Sequence, residues 1–223
     1  IYVVKDKIDF FLARSEFEKK VIMQGFGVDS SKVHIVPVSL RIDNIPEVDY
    51  SKKEDFCLHV SRLANWGKNV PRLVEAAKKY GFNLKLAGTL HGEERQWLDK
   101  LIAGADNIEY LGRLSDEELF ECYRKTKVFA LPSIVEGVGM VAMEAAICGA
   151  EVVLTNIGGP KEYYEGRAVL VNPYDVDSIG KGVMEAFESK KAQPELREYI
   201  LKNYSLAACS KKLEDALYKG LHL

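Results

Sequence analysis

The chain has 223 residues, of which 47% are hydrophobic and 29% are charged, and its formal net charge is −2 at pH 7. This balance argues against a nucleic-acid-binding protein, which usually carries a basic patch, and no apolar run reaches the ~20 residues of a membrane-spanning helix. The four cysteines are scattered, which predicts free thiols in a reducing, cytoplasmic compartment.

Short apolar runs alternate with helical patterns along the chain. Eight of these runs have the length and composition of strands that are buried on both faces of a parallel sheet: 9–13, 33–38, 56–61, 83–87, 108–111, 128–131, 151–154 and 168–171. Regular alternation of strand and helix predicts right-handed βαβ units. The expected fold is therefore α/β, with a doubly wound, Rossmann-like parallel sheet.

Several helix ends carry capping signals. Residues 15–18 and 115–118 both have the Ser-x-x-Glu pattern of a capping box. Asn69 is predicted to cap a helix that Gly81 ends. The pair in Asp175-Val176-Asp177 has the spacing of divalent-metal ligands, but it stands at a helix start, where Asp caps by default; capping is preferred over metal binding.

One polar segment interrupts the alternation. Residues 41–55 contain Pro46 and have no period, which predicts a linker. Residues 1–40 suffice for strand–helix–strand but not for an independent core, so they are expected to be the trailing part of an N-terminal domain otherwise missing from the chain. Residues 56–223 suffice for a complete α/β domain with C-terminal helices.

Two cations lie in the loop after the predicted strand 56–61. Ligands of open parallel sheets bind beyond the carboxyl ends of the strands, and a helix N-terminus favours anions. Arg62 and Lys68 flank such a helix start and could bind phosphate, although both could equally be solvated loop cations. Trp66 between them could stack on a ligand or cap apolar surface.

Two glutamates eight positions apart follow the predicted strand 128–131. Helix 139–148 is apolar on every side except at Glu144, which predicts a buried helix. A buried carboxylate needs hydrogen-bond donors, and no basic residue stands three or four positions away, so we expect a hydroxyl-bearing ligand at Glu144. Glu136, at the mouth of the loop, could accept hydrogen bonds from a polyol or could be a solvated loop acid.

The other loops give weaker signals. Gly88 would let a ligand approach the backbone but also suits an ordinary βα turn. Residues 112–114, which include Arg113 and Leu114, could form a wall for a planar ring. Glu162 would counter the dipole of its own helix.

Together these segments resemble the C-terminal half of a retaining glycosyltransferase with the two-domain GT-B fold, of the group 1 or glycosyltransferase family four type. The similar segments, in family order, are FLARSEFEKKVIMQGFGVDSSKVHIVPVS, HVSRL, GKN, LAGT, YLGRLSDEEL, ALPSIVEGVGMVAMEAAICGAEVVLTNIGGPKE and VLVNPYD. The resemblance implies transfer of a mannosyl or glucosyl group from a UDP- or GDP-linked sugar to an oligosaccharide or lipid-linked acceptor, with retention, in polysaccharide or glycolipid synthesis. It implies no metal and no other cofactor, and it leaves room for peripheral membrane contact.

The resemblance also implies residue roles. Arg62 and Lys68 would bind the departing diphosphate, and Glu136 would hold the donor sugar together with the backbone of Gly137, Val138, Gly139 and Met140. Glu144 would accept hydrogen bonds from the ribose, and Gly88, Arg113 and Leu114 would line the rest of the donor site. Two alternatives are a non-catalytic nucleotide-sugar-binding or regulatory module, and an epimerase or phosphorylase of the same broad fold.

Overall fold

A computed structural model describes residues 4–40, 42, 45, 47–189 and 193–221. Within these ranges the strands form two parallel sheets. The smaller sheet pairs β1 (Phe11–Ala13) with β2 (Val33–Ile35), and α1 (Glu16–Phe26) connects them. Within residues 4–40 the chain thus forms a strand–helix–strand unit.

The larger sheet has six strands in the order β5-β4-β3-β6-β7-β8. They are β3 (Glu54–Val60), β4 (Leu84–Ala87), β5 (Ile108–Gly112), β6 (Thr126–Leu131), β7 (Glu151–Thr155) and β8 (Val169–Val171). Every neighbouring pair is parallel, and the order is that of a Rossmann sheet. All eight predicted strands are confirmed, with ends that differ by at most three residues.

Helices cover both faces of this sheet. They are α2 (Val70–Tyr80), α3 (Glu94–Ile102), α4 (Asp116–Lys125), α5 (Met140–Ile147), α6 (Gly159–Tyr164), α7 (Val176–Glu188), α8 (Gln193–Tyr204) and α9 (Leu206–Leu221). One hydrophobic cluster joins the sheet to α4, α5, α6 and α8. A second cluster, on the opposite face, joins it to α2, α3 and α7. The predicted doubly wound architecture is therefore confirmed.

Local sequence signals explain several helix ends. Ser115 and Glu118 form a complete capping box at the start of α4. Asp175 caps α7 by accepting a hydrogen bond from the backbone N–H of Asp177 at 2.8 Å, and the Asp177 carboxylate lies 2.6 Å from Lys79 Nζ. Each member of the Asp pair therefore has a structural partner of its own.

The predicted linker, 41–55, is only partly open to comparison, because residues 41, 43, 44 and 46 lie outside the described ranges. Strand β3 begins at Glu54, so the last two residues of the predicted linker belong to the sheet. The small unit also packs against the C-terminal helix: α9 contacts β2, and Gly220 lies against the ring of Phe10.

Side chains of α6 hold the start of α1. The Glu162 carboxylate accepts hydrogen bonds from the backbone N–H groups of Glu16 and Phe17 at 2.7 and 2.5 Å. The Tyr163 hydroxyl donates to the carbonyl oxygen of Arg14 at 2.6 Å. Glu162 thus counters the dipole of α1, whereas the sequence suggested that of its own helix. These contacts fix the small unit beside the carboxyl edge of the large sheet.

Candidate functional site

The site lies at the switch point of the large sheet, where the chain stops adding strands on one side of β3 and begins to add them on the other. Strands β3 and β6 are neighbours, yet β3 leads through α2 to β4 on one side, and β6 leads through α5 to β7 on the other. Their following loops, residues 61–69 and 132–139, therefore diverge and leave a crevice of the kind in which Rossmann folds bind ligands. The carbonyl of Gly67 accepts hydrogen bonds from the N–H groups of Ile134 and Val135, at 2.8 and 3.2 Å, and joins the two loops.

Lys68 and Glu136 meet across this crevice. Lys68 Nζ lies 2.8 Å from Glu136 Oε2, with side chains that are 26% and 10% exposed. The hydroxyl of buried Ser133 donates to the same oxygen at 3.0 Å, and the N–H of Gly137 lies 3.1 Å from Oε1. The alternative of a solvated loop acid is therefore wrong for Glu136.

Arg62 takes a different direction from Lys68. Its side chain is 68% exposed, and its guanidinium lies 4.0 Å from Glu94 at the start of α3. The structure therefore brings one of the two predicted cations, not both, to Glu136. Trp66 is 71% exposed, so it does not cap apolar surface, which was one of its two expected roles.

Asn69 ties three loops together, which the sequence did not predict. Its side chain does not cap α2 as expected, because its backbone is left-handed, with φ of 61°. Its Nδ2 donates instead to the carbonyls of Pro132 and Pro173, at 2.9 and 2.6 Å, and its Oδ1 accepts from Arg72 at 3.0 Å. With 1% exposure, Asn69 is a buried connection between the loops after β3, β6 and β8.

His59 lies beneath the crevice, on β3. Its Nδ1 is 2.8 Å from the carbonyl oxygen of Ala130, and its Nε2 is 2.7 Å from Ser61 Oγ. Complete burial lowers the pKa of His59 to about 4, so the imidazole is neutral at pH 7. A carbonyl only accepts hydrogen bonds, so Nδ1 carries the proton and Nε2 accepts from the serine hydroxyl. A single histidine in an apolar strand gave no signal in the sequence.

Two glycines permit close approaches of backbone to backbone around the loops. A Cβ on Gly88, whose φ is +153°, would lie 1.9 Å from the carbonyl oxygen of Ser61. A Cβ on Gly159 would lie 1.9 Å from the carbonyl oxygen of Gly137. Packing alone thus requires a glycine at position 88, with or without a ligand contact. The glycine turn after β7 packs directly against the loop that carries Glu136.

Glu144 lies on the second turn of α5, a helix that is otherwise largely buried. The carboxylate is half-buried and accepts a hydrogen bond from the Tyr123 hydroxyl at 3.3 Å. Burial and the nearby charge of Glu144 raise the pKa of that hydroxyl well above its usual range. One donor to Glu144 therefore comes from α4, which sequence spacing does not reveal, and the expected hydroxyl-bearing ligand stays a prediction.

The remaining predicted residues surround the crevice at different depths. Gly139 precedes α5 with a left-handed backbone, Val138 is buried and Met140 is half-buried. Beyond β5, Arg113 is exposed, while Leu114 packs against the core cluster of α4 and α5.

Arg14, from the small unit, reaches the glycine loop. Its guanidinium nitrogen lies 3.2 Å from the position that a Cβ on Gly137 would take, and it bonds to Glu18 through two nitrogens, with contacts of 2.7 to 3.1 Å. The Glu18 carboxylate also accepts from the backbone N–H of Arg14, so it does not complete the predicted capping box with Ser15. A cavity of about 170 Å³ lies between Arg14, Phe17, Val21 and the loop of Glu136.

Among the residues that the structure describes, no three or more His, Cys, Asp or Glu side chains converge as metal ligands would. None of the helices in these ranges combines the length and the apolar character that a bilayer crossing demands.

Comparison with known proteins gives a family match. A family model described as "Glycosyl transferases group 1" matches residues 41–203. The O-antigen chain mannosyltransferase B of Escherichia coli is 33% identical over 202 residues, which cover 82% of this chain and 52% of that protein. The uncharacterized glycosyltransferase MJ1607 of Methanocaldococcus jannaschii is 31% identical over 157 residues, 67% of this chain and 39% of that protein. The chain thus spans about half the length of the curated relatives it matches.

Solved structures share the fold. Anabaena Alr3699/HepE, determined in complex with UDP and glucose, superposes with a TM-score of 0.80 over 94% of this chain and 63% of that one, at 19% sequence identity. At this identity the likeness concerns the Rossmann-like, parallel-sheet fold of GT-B glycosyltransferases.

Proposed function

The chain belongs to the family of group 1 glycosyl transferases, and from this premise we propose that it is the donor-binding half of a retaining hexosyltransferase. The reaction transfers a mannosyl or glucosyl group from a UDP- or GDP-linked sugar to a hydroxyl of an oligosaccharide or lipid-linked acceptor. Polysaccharide or glycolipid synthesis in the cytoplasm is the proposed setting. In this proposal residues 1–40 are the end of an acceptor-side domain, and residues 56–223 bind the donor.

The observation that carries the proposal is the Lys68–Glu136 pair at the switch point of the sheet. A cation beside a helix start suits a diphosphate, and a carboxylate four residues before the first residue of α5 suits sugar hydroxyls. Lys68 would therefore turn to the diphosphate, while Glu136 and the amides of residues 137–140 would hold the sugar. Arg62 can join Lys68 because its ion pair with Glu94 is exposed and as long as 4.0 Å, which makes that pair weak.

The nucleoside would lie toward the other side of the crevice. A carboxylate can accept about four hydrogen bonds, so the bond from Tyr123 leaves Glu144 able to accept from ribose hydroxyls. Gly88, Arg113 and Leu114 would line the base. In this arrangement Arg62 and Lys68 would face the phosphates.

The contribution of this half to catalysis would be electrostatic. When the glycosidic bond breaks, negative charge develops on the departing diphosphate, and preorganised cations and amide dipoles stabilise it. Lys68 and Arg62 supply the cations, so the proposal needs neither a metal ion nor another cofactor. The reaction also needs the donor sugar and the acceptor hydroxyl to be held at attack distance. That positioning would require the acceptor-side domain.

Calorimetric titration of the chain with UDP, GDP and their sugars tests the proposal. Lys68→Ala should weaken binding of a nucleoside diphosphate far more than binding of the nucleoside. Glu144→Gln should weaken both, by about 1.5–3 kcal/mol, because the ribose is common to them. Lys127→Ala is the matched control, since Lys127 pairs with Asp55 at the opposite end of β6. Absence of nucleotide binding, or equal loss for nucleoside and diphosphate in Lys68→Ala, would contradict the proposal.

A further inference from the structure

Lys68 and Glu136 form an ion pair with each other. Both the lysine ammonium and the Ser133 hydroxyl bond to Glu136 Oε2, at 2.8 and 3.0 Å. A diphosphate that takes Lys68 therefore removes the main positive charge from a carboxylate that is only 10% exposed. A ligand that binds Lys68 must therefore either supply a new hydrogen-bond donor to Glu136 or lie beside its uncompensated negative charge.

From this exchange we infer that Glu136 is a specificity-determining residue, which makes the site favour a diphosphate that carries a sugar over the bare nucleoside diphosphate. The inference rests on the proposed function. A sugar presents hydroxyl donors to the carboxylate that Lys68 has left. A bare terminal phosphate presents only acceptor oxygens, and it carries about −1.5 to −2 charge at pH 7, against a single charge when it is esterified to sugar.

The surroundings keep the carboxylate in place. Gly159 packs on the carbonyl of Gly137, which constrains the backbone of the loop that carries Glu136. Of the other ionisable groups near this loop, Arg14 is paired with Glu18, Arg62 faces Glu94 and His59 is neutral. Repulsion between Glu136 and a bare phosphate is therefore weakly screened.

The same exchange of partners would also promote release of the product. Transfer removes the sugar from the donor and adds charge to the phosphate that stays behind. Glu136 then loses its hydroxyl partners and competes with the product for Lys68. Recapture of Lys68 by Glu136 would thus favour release of the nucleoside diphosphate.

Calorimetry on wild type and two variants tests this inference, with UDP, UDP-glucose, GDP and GDP-mannose as probes. Glu136→Gln keeps the size of the side chain and an oxygen for Lys68 and Ser133, but it removes the charge. Affinity for the bare diphosphate should rise about tenfold, or about 1.4 kcal/mol, and affinity for the sugar-linked form should stay level or fall. Glu136→Asp keeps the charge and should keep the wild-type preference.

Glu109→Gln is the control, because it makes the same change in net charge on β5, where Glu109 pairs with Lys85. It should leave all affinities unchanged. If Glu136→Gln weakens bare and sugar-linked diphosphates equally, or leaves their ratio unchanged, the inference is wrong while the proposed function stands. If wild type binds none of the four nucleotides, the proposed function itself fails, and the inference fails with it.

Discussion

Replacement of Asn69 by alanine should be among the most destabilising single changes at the carboxyl edge of the sheet. The side chain makes two donations to buried loop carbonyls, those of Pro132 and Pro173, and accepts one bond from Arg72. Each buried acceptor that loses its donor costs about 1–3 kcal/mol. A left-handed backbone costs alanine about 1 kcal/mol more. Asn69→Ala should therefore destabilise the fold by about 3–7 kcal/mol, a large part of the ~5–15 kcal/mol of a typical domain.

Urea unfolding followed by circular dichroism measures this loss. Asn69→Gly separates its two causes, because glycine removes the same hydrogen bonds but accepts the left-handed backbone without strain. It should be about 1 kcal/mol more stable than Asn69→Ala. Asn69→Asp keeps the acceptor for Arg72 but cannot donate, so it should lose at least as much as the glycine variant. A cost below about 1 kcal/mol for Asn69→Ala would refute the role of Asn69 as a connection between loops.

Three further predictions concern other parts of the fold. His59→Gln should flatten the dependence of stability on pH. The folded-state pKa of about 4 lies below the unfolded value, so the stability of the wild type is full above pH ~6.5 and falls by up to about 3 kcal/mol as pH drops toward 4. Urea unfolding midpoints of both proteins at about pH 7 and pH 4.5 measure this difference. Gly88→Ala should cost more than about 2 kcal/mol in thermal unfolding, against about 1 kcal/mol for the control Gly104→Ala, which has φ of 72° but no atom within 4 Å of the added Cβ. Glu162→Gln should speed hydrogen exchange at the first two amides of α1 about tenfold and leave β6 unchanged.

Each of these has a contrary result that would decide against it. An equal slope of stability against pH in wild type and His59→Gln would mean that the histidine titrates normally in the folded chain. Equal costs for Gly88→Ala and Gly104→Ala would mean that the loop after β3 yields to the added methyl group. Unchanged exchange in Glu162→Gln would mean that the charge of this carboxylate does not hold α1.

The sequence predicted the sheet well because parallel strands are continuous apolar runs, which need no knowledge of the partner strand. It placed Lys68 and Glu136 in loops at the carboxyl ends of two strands, but it did not predict that their side chains form an ion pair. It did not separate Lys68 from Arg62, six positions earlier in the same loop. That separation comes from the single 3₁₀ turn Trp66–Lys68, which directs Lys68 toward the loop after β6 while Arg62 faces α3.

What the sequence missed depends on contacts between distant segments. Asn69 bonds to carbonyls 63 and 104 residues away, and a short polar residue before a helix predicts an N-cap unless its left-handed φ is known. Arg14 reaches Gly137 only because Glu162 and Tyr163 hold the start of α1. No periodicity or motif encodes such contacts, so they emerge only when the units are packed.

The charged groups at the crevice are paired with each other. Lys68 neutralises Glu136, and Glu18 neutralises Arg14, so little charge at the crevice lacks a partner within the protein. Removing one member of a partly buried pair costs more than the pair contributes, since the other charge is left behind. Binding of a sugar nucleotide can avoid that cost by exchanging partners, with phosphate for the lysine and hydroxyls for the glutamate. A ligand that offers only one of the two replacements leaves a charge unmatched, so discrimination among ligands follows from the pairing of Lys68 with Glu136.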